Sequence, residues 1–221
     1  MRTPNNLVEL RAAWRVVANV EKRSTPCFRI ENVDTPKLYV YDVIGGYDLD
    51  ATEFVQAVHG VKAKSMDVHV NSPGGFVYDA VSMYEALKSS TATVNVHIDG
   101  LAASAASFLA MAGDTVEIAK GGRMMIHDAQ GVGIGGPADM REYADLLDAV
   151  SDDISGYYAD RAGGKPSAWR TAMKTTTWYS AAQAVDSGLA DRLTGGSNSD
   201  SENLRSQMIR ARARVALEGV K

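Results

Sequence analysis

The run DGLAASAASFLAMAGD (residues 99–114) places two serines, Ser104 and Ser107, among alanines with almost nothing else polar beside them. A strand is predicted to end at HID, Gly100 to turn the chain, and a helix to begin near Ser104. A serine in the first turn of a helix lies at the positive end of the dipole, beside N–H groups that can hold an oxyanion. The small alanines leave room for a substrate backbone to approach. Ser107 lies three residues further on, in the buried run toward Phe108 and Leu109, and is read as bonding back to its own helix. The same bond is open to Ser104, so the stretch alone does not separate packing from chemistry.

A serine nucleophile needs a base, and four histidines compete for that role. His59 lies in a helix between Val58 and Gly60. His69 and His97 sit inside strands with apolar neighbours and are expected to face covering helices. His127 ends the strand RMMIH and opens a glycine-rich loop, QGVGIGGP (130–137), where strand ends deliver side chains to the ligand crevice of α/β sheets. It is the favoured base. The turn NSPGG (71–75) has the same setting: Pro73 fixes one φ and two glycines permit a turn that other residues would strain, aiming backbone N–H groups into the crevice. Read blandly, it is an ordinary strand–helix turn.

These residues need a parallel sheet to bring them together. KLYVYDVI (37–44), MDVHVN (66–71), TVNVHID (93–99), DTVEIA (114–119) and RMMIH (123–127) read as strands, with helices predicted at 51–63 and 76–89. This strand–helix alternation argues for an α/β fold with right-handed crossovers. A long helix is predicted over about 138–162, with Met140, Tyr143, Leu147, Val150, Ile154 and Tyr157 spaced as a heptad seam. That seam packs either on its own domain or on a partner helix. Short helices follow at 166–174 and 180–187. Residues 1–36 read as an N-terminal helix (6–20) with a polar connector, 37–193 as the main domain, and 194–221 as a flexible, basic tail.

Composition narrows the function classes. The 221 residues carry a net charge of −4 and 45% hydrophobic residues, without the basic footprint of a nucleic-acid binder. Cys27 is the single cysteine, so no intramolecular disulfide and no cysteine-built zinc site is expected; no metal or other cofactor is foreseen. No signal-like or membrane-length apolar run stands out, and the expectation is a soluble, cytoplasmic protein without nucleic-acid or membrane partners.

NSPGG, GLAASAASFLAMAG, GRMMIHDAQG and TTTWYSAAQAVDSGLAD, in this order, resemble the Clp protease proteolytic subunit (ClpP-like) family of serine peptidases across residues 37–193. YVYDVIGGY, AASAAS and TWYSAAQAVDSGLAD look most like the phage ClpP-like head maturation proteases. The resemblance implies the ClpP/crotonase-like fold of repeated β-β-α and βαβ units with a projecting handle helix. It implies Ser104 as nucleophile, His127 as general base, and the N–H groups of Gly75 and Ala105 as the oxyanion hole. It also implies a homo-oligomeric ring stacked through the handle by Tyr143, Leu147, Val150 and Ile154. Protein or peptide substrates follow, with capsid or scaffold proteins and an AAA+ unfoldase as the partners suggested for this branch. In a phage-encoded protein the location is the host cytoplasm.

One position departs from the family pattern. Where the orienting acid is expected, the chain has Thr176, which can hydrogen-bond but brings no charge. Losing that charge costs about 10⁴ in turnover in the serine-protease template. Three readings stay open: another acid such as Asp128 serves, a Ser–His pair with Thr176 runs slowly, or the chain is a ring-forming subunit with little or no peptidase activity. A crotonase-like acyl-CoA enzyme is the remaining alternative, and it leaves the pairing of Ser104 with a strand-end histidine unexplained.

Overall fold

The computed structural model describes residues 35–46 and 49–195, together with the backbone of the short strand β1 (Ile30–Glu31). The helix expected at 6–20 and the tail beyond 195 lie outside the described residues. Along the chain follow β2 (Lys37–Val40), α1 (Ala51–Gly60), β3 (Ser65–Ser72), α2 (Val77–Lys88), β4 (Thr93–Ala103) and α3 (Ala105–Ala110). Then come β5 (Thr115–Ile118), β6 (Arg123–Ile126), α4 (Pro137–Ala162), α5 (Pro166–Lys174), β7 (Thr177–Ser180), α6 (Ala181–Asp186) and β8 (Arg192–Leu193). This is a mixed α/β fold with parallel strands and crossover helices, as the strand–helix alternation predicts.

The sheet order is β1-β2-β3-β4-β5-β8, with β2, β3, β4, β5 and β8 parallel and β1 antiparallel at the edge. Period-2 alternation sets its two faces. On β3, Met66, Val68 and Val70 are fully buried, and on β4 so are Val96 and Ile98, in one core with Phe54, Met83 and Phe108 from the helices. Asp67, His69, Asn95 and His97 alternate with them and stand half-buried on the opposite face. This corrects the expectation that His69 and His97 face covering helices: the helix side of the sheet is taken by the valines and isoleucine between them.

Strand β4 positions the active end of the sheet. The sequence suggests a turn at Gly100, but the strand runs on to Ala103. Val70 pairs with Ile98 and Ser72 with Ala102, so β4 holds two extra residues around Asp99 and Gly100. There it changes partner: Asn95–Ile98 pair with β5, and Leu101–Ala103 with β6. Gly100 is needed because a Cβ would fall 2.7 Å from Asn71 Oδ1, the atom that accepts the Leu101 N–H at 3.1 Å.

Strand β7 was not evident in the sequence. It pairs antiparallel with β6, Ile126 opposite Thr177. Helix α4 has two regimes. Residues 137–149 are exposed or half-exposed, whereas Ser151, Ile154, Ser155, Tyr158 and Ala162 are buried against the domain. Ile154 is only 5% exposed and belongs to the core of its own chain, so it is withdrawn from the expected contact set between subunits.

Helix α3 is joined to α4 by Phe108, 1% exposed and stacked on Tyr157 at 5.5 Å between ring centroids. Phe108→Ala is expected to cost about 3–5 kcal/mol. The urea midpoint should fall at unchanged m value, and an unchanged midpoint would show that α3 is held by other contacts.

Candidate active site

Ser104 is the single residue between β4 and α3, and its backbone is held at φ 53°, ψ −126°. A positive φ on a residue with a Cβ costs on the order of 1–3 kcal/mol and persists only where the surroundings enforce it. Here both backbone groups are tied. The Ser104 N–H donates to Met125 O on β6 at 2.9 Å. Its carbonyl accepts from the Ser107 N–H at 2.9 Å and from Ser107 Oγ at 2.5 Å. Because the Ser107 hydroxyl proton is spent on that carbonyl, Tyr158 OH must donate to Ser107 Oγ, 2.7 Å away. Burial raises the Tyr158 phenol pKa well above its ordinary range, which keeps that proton in place. Ser107 thus bonds back to its own helix as expected, and also anchors the elbow to α4, 51 residues along the chain. No local pattern could have shown that second role.

The turn after β3 is packed against this elbow. Ser72 Oγ donates to Asp42 O at 2.5 Å and accepts the Gly74 N–H at 3.1 Å. Gly74 has φ +98°; a Cβ on it would lie 2.7 Å from Ser104 Cβ and 2.8 Å from the Ala105 nitrogen. Gly75, at φ +154°, bridges to Ile44 so closely that a Cβ would fall 2.1 Å from Ile44 O. That bridge uses Ile44 N to Gly74 O and Phe76 N to Ile44 O, leaving the Gly75 N–H out of it. Ala105 opens α3, where a backbone N–H has no acceptor within its own helix.

His127 follows β6 directly, and its Nε2 lies 2.7 Å from Ser104 Oγ. The distance suits transfer of the serine proton to a neutral imidazole. Burial lowers the His127 pKa below its ordinary value of 6.5, and the nearby Asp128 charge opposes this only in part. The imidazole is therefore the neutral acceptor a base must be.

Thr176 immediately precedes β7, whose last register pair, Thr177 with Ile126, is next in the chain to Thr176 on one strand and to His127 on the other. It is exposed, at φ 50°, and makes no hydrogen bond to the imidazole. A β-branched residue is poorly suited to that conformation, which Asp and Asn tolerate better. Its neighbours Thr175 and Thr177 both donate to Ala172 O, at 3.1 and 2.7 Å. Asp128 is not the substitute orienter. Its Oδ1 accepts from Arg170 Nε at 3.0 Å, and Arg170 also grips Asp148 and Asp152. The structure thus brings Ser104, His127, Ala105 and the Gly74–Gly75 turn together, leaves the Thr176 side chain without a hydrogen bond to the imidazole, and ties the Asp128 carboxylate to Arg170.

Elbow strain has a direct test. Ser104→Gly is expected to be more stable than Ser104→Ala by about 1 kcal/mol, because glycine adopts positive φ freely. Equal urea midpoints for the two variants would show that no strain is stored there.

The family model described as Clp protease matches residues 52–196, about two thirds of the chain. An ATP-dependent Clp protease proteolytic subunit of Staurastrum punctulatum is 34% identical over 144 residues, covering 62% of this chain and 70% of that protein. An ATP-dependent Clp protease proteolytic subunit 1 of Prochlorococcus marinus (strain NATL2A) is 29% identical over 137 residues, covering 59% and 67%. The subunit of Pleurastrum terricola is 28% identical over 131 residues, covering 58% and 67%. The matched span contains the Ser104 elbow, His127, the Gly74–Gly75 turn and the long helix, and the chain belongs to the Clp protease family.

Proposed function

We propose that this chain is a serine-type endopeptidase in which Ser104 is the nucleophile and His127 the general base. The observation that carries the reading is the 2.7 Å contact between Ser104 Oγ and His127 Nε2 at a strained strand–helix elbow. Ser104 Oγ attacks a peptide carbonyl as its proton passes to His127 Nε2. The N–H groups of Gly75 and Ala105 take the developing oxyanion, each such donor being worth about 10²–10³ in turnover. His127 then returns the proton to the leaving amine, and a water repeats the sequence on the acyl-enzyme.

Thr176 supplies no charge to stabilise the imidazolium formed in that step. The enzyme is therefore slow, or active only when assembly or substrate completes the site. The second reading, a ring-forming subunit with little or no peptidase activity, is favoured by the same exposed threonine, which makes no hydrogen bond to the imidazole. In either case the exposed half of α4, with Tyr143 and Leu147, and the glycine loop, with Val132 72% and Ile134 65% exposed, present apolar surface suited to stacking a second ring. Val150, half-buried against the core, lies at the inner limit of that surface. Resemblance to phage head maturation proteases makes capsid or scaffold proteins in the host cytoplasm the favoured substrates, with an AAA+ unfoldase as a further partner.

Two outcomes follow. Thr176→Asp is expected to raise kcat/KM at least about tenfold, toward the roughly 10⁴ that the acid contributes in a full triad. A carboxylate there favours the protonated imidazole. The acid limb of the pH profile, which starts below the ordinary imidazole value in the native enzyme, should therefore move upward. A peptide-cleavage assay that shows neither change would remove the missing charge as the limiting factor. Separately, Leu146→Glu with Leu147→Glu, on the exposed half of α4, should leave the monomer folded and shrink the assembly seen by light scattering; an unchanged mass would exclude this face as a contact.

A further inference from the structure

The open face of the sheet carries a row of cross-strand partners that serves no purpose in the chemistry above. Tyr39 pairs with His69, His69 with His97, His97 with Glu117, and Glu117 with Arg192, across five strands. The two imidazoles stack at 4.8 Å between centroids, 20° from parallel, and Tyr39 stacks on His69 at 5.0 Å. One register step away, Asp67 Oδ1 lies 3.6 Å from His97 Nε2 and accepts from Asn95 Nδ2 at 3.1 Å. On the far side of His69, Asp99 Oδ2 lies 2.8 Å from Nδ1 and accepts from Tyr41 OH at 2.5 Å. Glu117, paired with Arg192, faces His97 Nδ1 at 3.6 Å.

We propose that Asp67, His69 and His97 form a binding site for a divalent transition-metal ion such as Zn2+. One ligand atom from each lies within 4.8 Å of the others. A tetrahedral ion with bonds of about 2.0–2.2 Å needs its ligands roughly 3.3–3.6 Å apart, which side-chain rotation on fixed strands can supply. The donor set, two imidazole nitrogens and one carboxylate oxygen, suits a borderline ion; Mg2+ and Ca2+ take oxygen ligands instead. The surroundings are those of a metal-binding histidine. When Nδ1–H of His69 donates to Asp99, the tautomer is fixed with the Nε2 lone pair free, and Tyr41 in turn fixes Asp99. Asn95 orients Asp67 in the same way. All three ligands are only about one-fifth exposed, so water is partly excluded while one side stays open for a fourth ligand.

The test uses the full chain, free of any polyhistidine tag and stripped with chelator, titrated with Zn2+ by calorimetry and examined by X-ray absorption at the zinc edge. One ion per chain is expected, with two imidazoles and oxygen in its coordination shell and unchanged binding in Ser104→Ala. His97→Gln should weaken affinity by more than about 100-fold, and Asp99→Asn by about tenfold through His69. Sulfur in the shell, fewer than two imidazoles, or equal affinity in wild type and His97→Gln would overturn the site. The cluster would then be a hydrogen-bonded network alone. The wild-type spectrum decides the matter even if a variant fails to fold.

Discussion

The positive φ of Ser104 is the constraint on which the candidate active site depends. An L-residue does not rest there unaided, and the strain holds only because three elements grip the same peptide. Strand β6 takes its N–H through Met125, Ser107 takes its carbonyl, and Tyr158 locks Ser107 from the long helix. The switch of β4 from β5 to β6 is what brings the Met125 carbonyl within reach, and it also delivers His127 beside Ser104. Loss of any of these contacts would let the serine relax into the helix and out of line with its base.

Electrostatics gives the site its character. Burial favours the neutral form of His127, with no carboxylate bonded to it, so the imidazole is able to accept a proton but its protonated form is poorly supported. The acids of this region are engaged elsewhere: Asp128, Asp148 and Asp152 converge on Arg170, tying the His127 loop and the long helix to α5. The same arrangement that stiffens the scaffold bonds the Asp128 carboxylate to Arg170, so its charge reaches His127 only through space. Thr176, strained and without a hydrogen bond to the imidazole, holds the position at which the family resemblance leads one to expect that charge.

The sequence made some of this legible and not the rest, for physical reasons. Alternation in MDVHVN and the glycine turns located β3, β4 and the crevice, because period-2 burial and positive φ leave local signatures. The side on which His69 and His97 stand was misread, since alternation gives two faces without saying which one the helices cover. The Gly100 turn was misplaced because a bend with a change of strand partner looks locally like a strand end. Strand β7 is four residues of mixed burial and gave no pattern of its own. Ile154 kept the heptad spacing of its neighbours, yet α4 turns from exposed to buried at Ser151, a change that only the tertiary fold supplies. Tyr158 shows the same limit, since its bond to Ser107 joins residues far apart in the chain.

The central claim, that the Ser104–His127 pair is a working nucleophile and base, is tested most directly by labelling the native assembly with a fluorophosphonate probe and mapping the adduct by mass spectrometry. The account predicts one modified residue, Ser104, with the adduct absent in Ser104→Ala and strongly reduced in His127→Ala. Equal labelling of wild type and Ser104→Ala, or none in either, would contradict it.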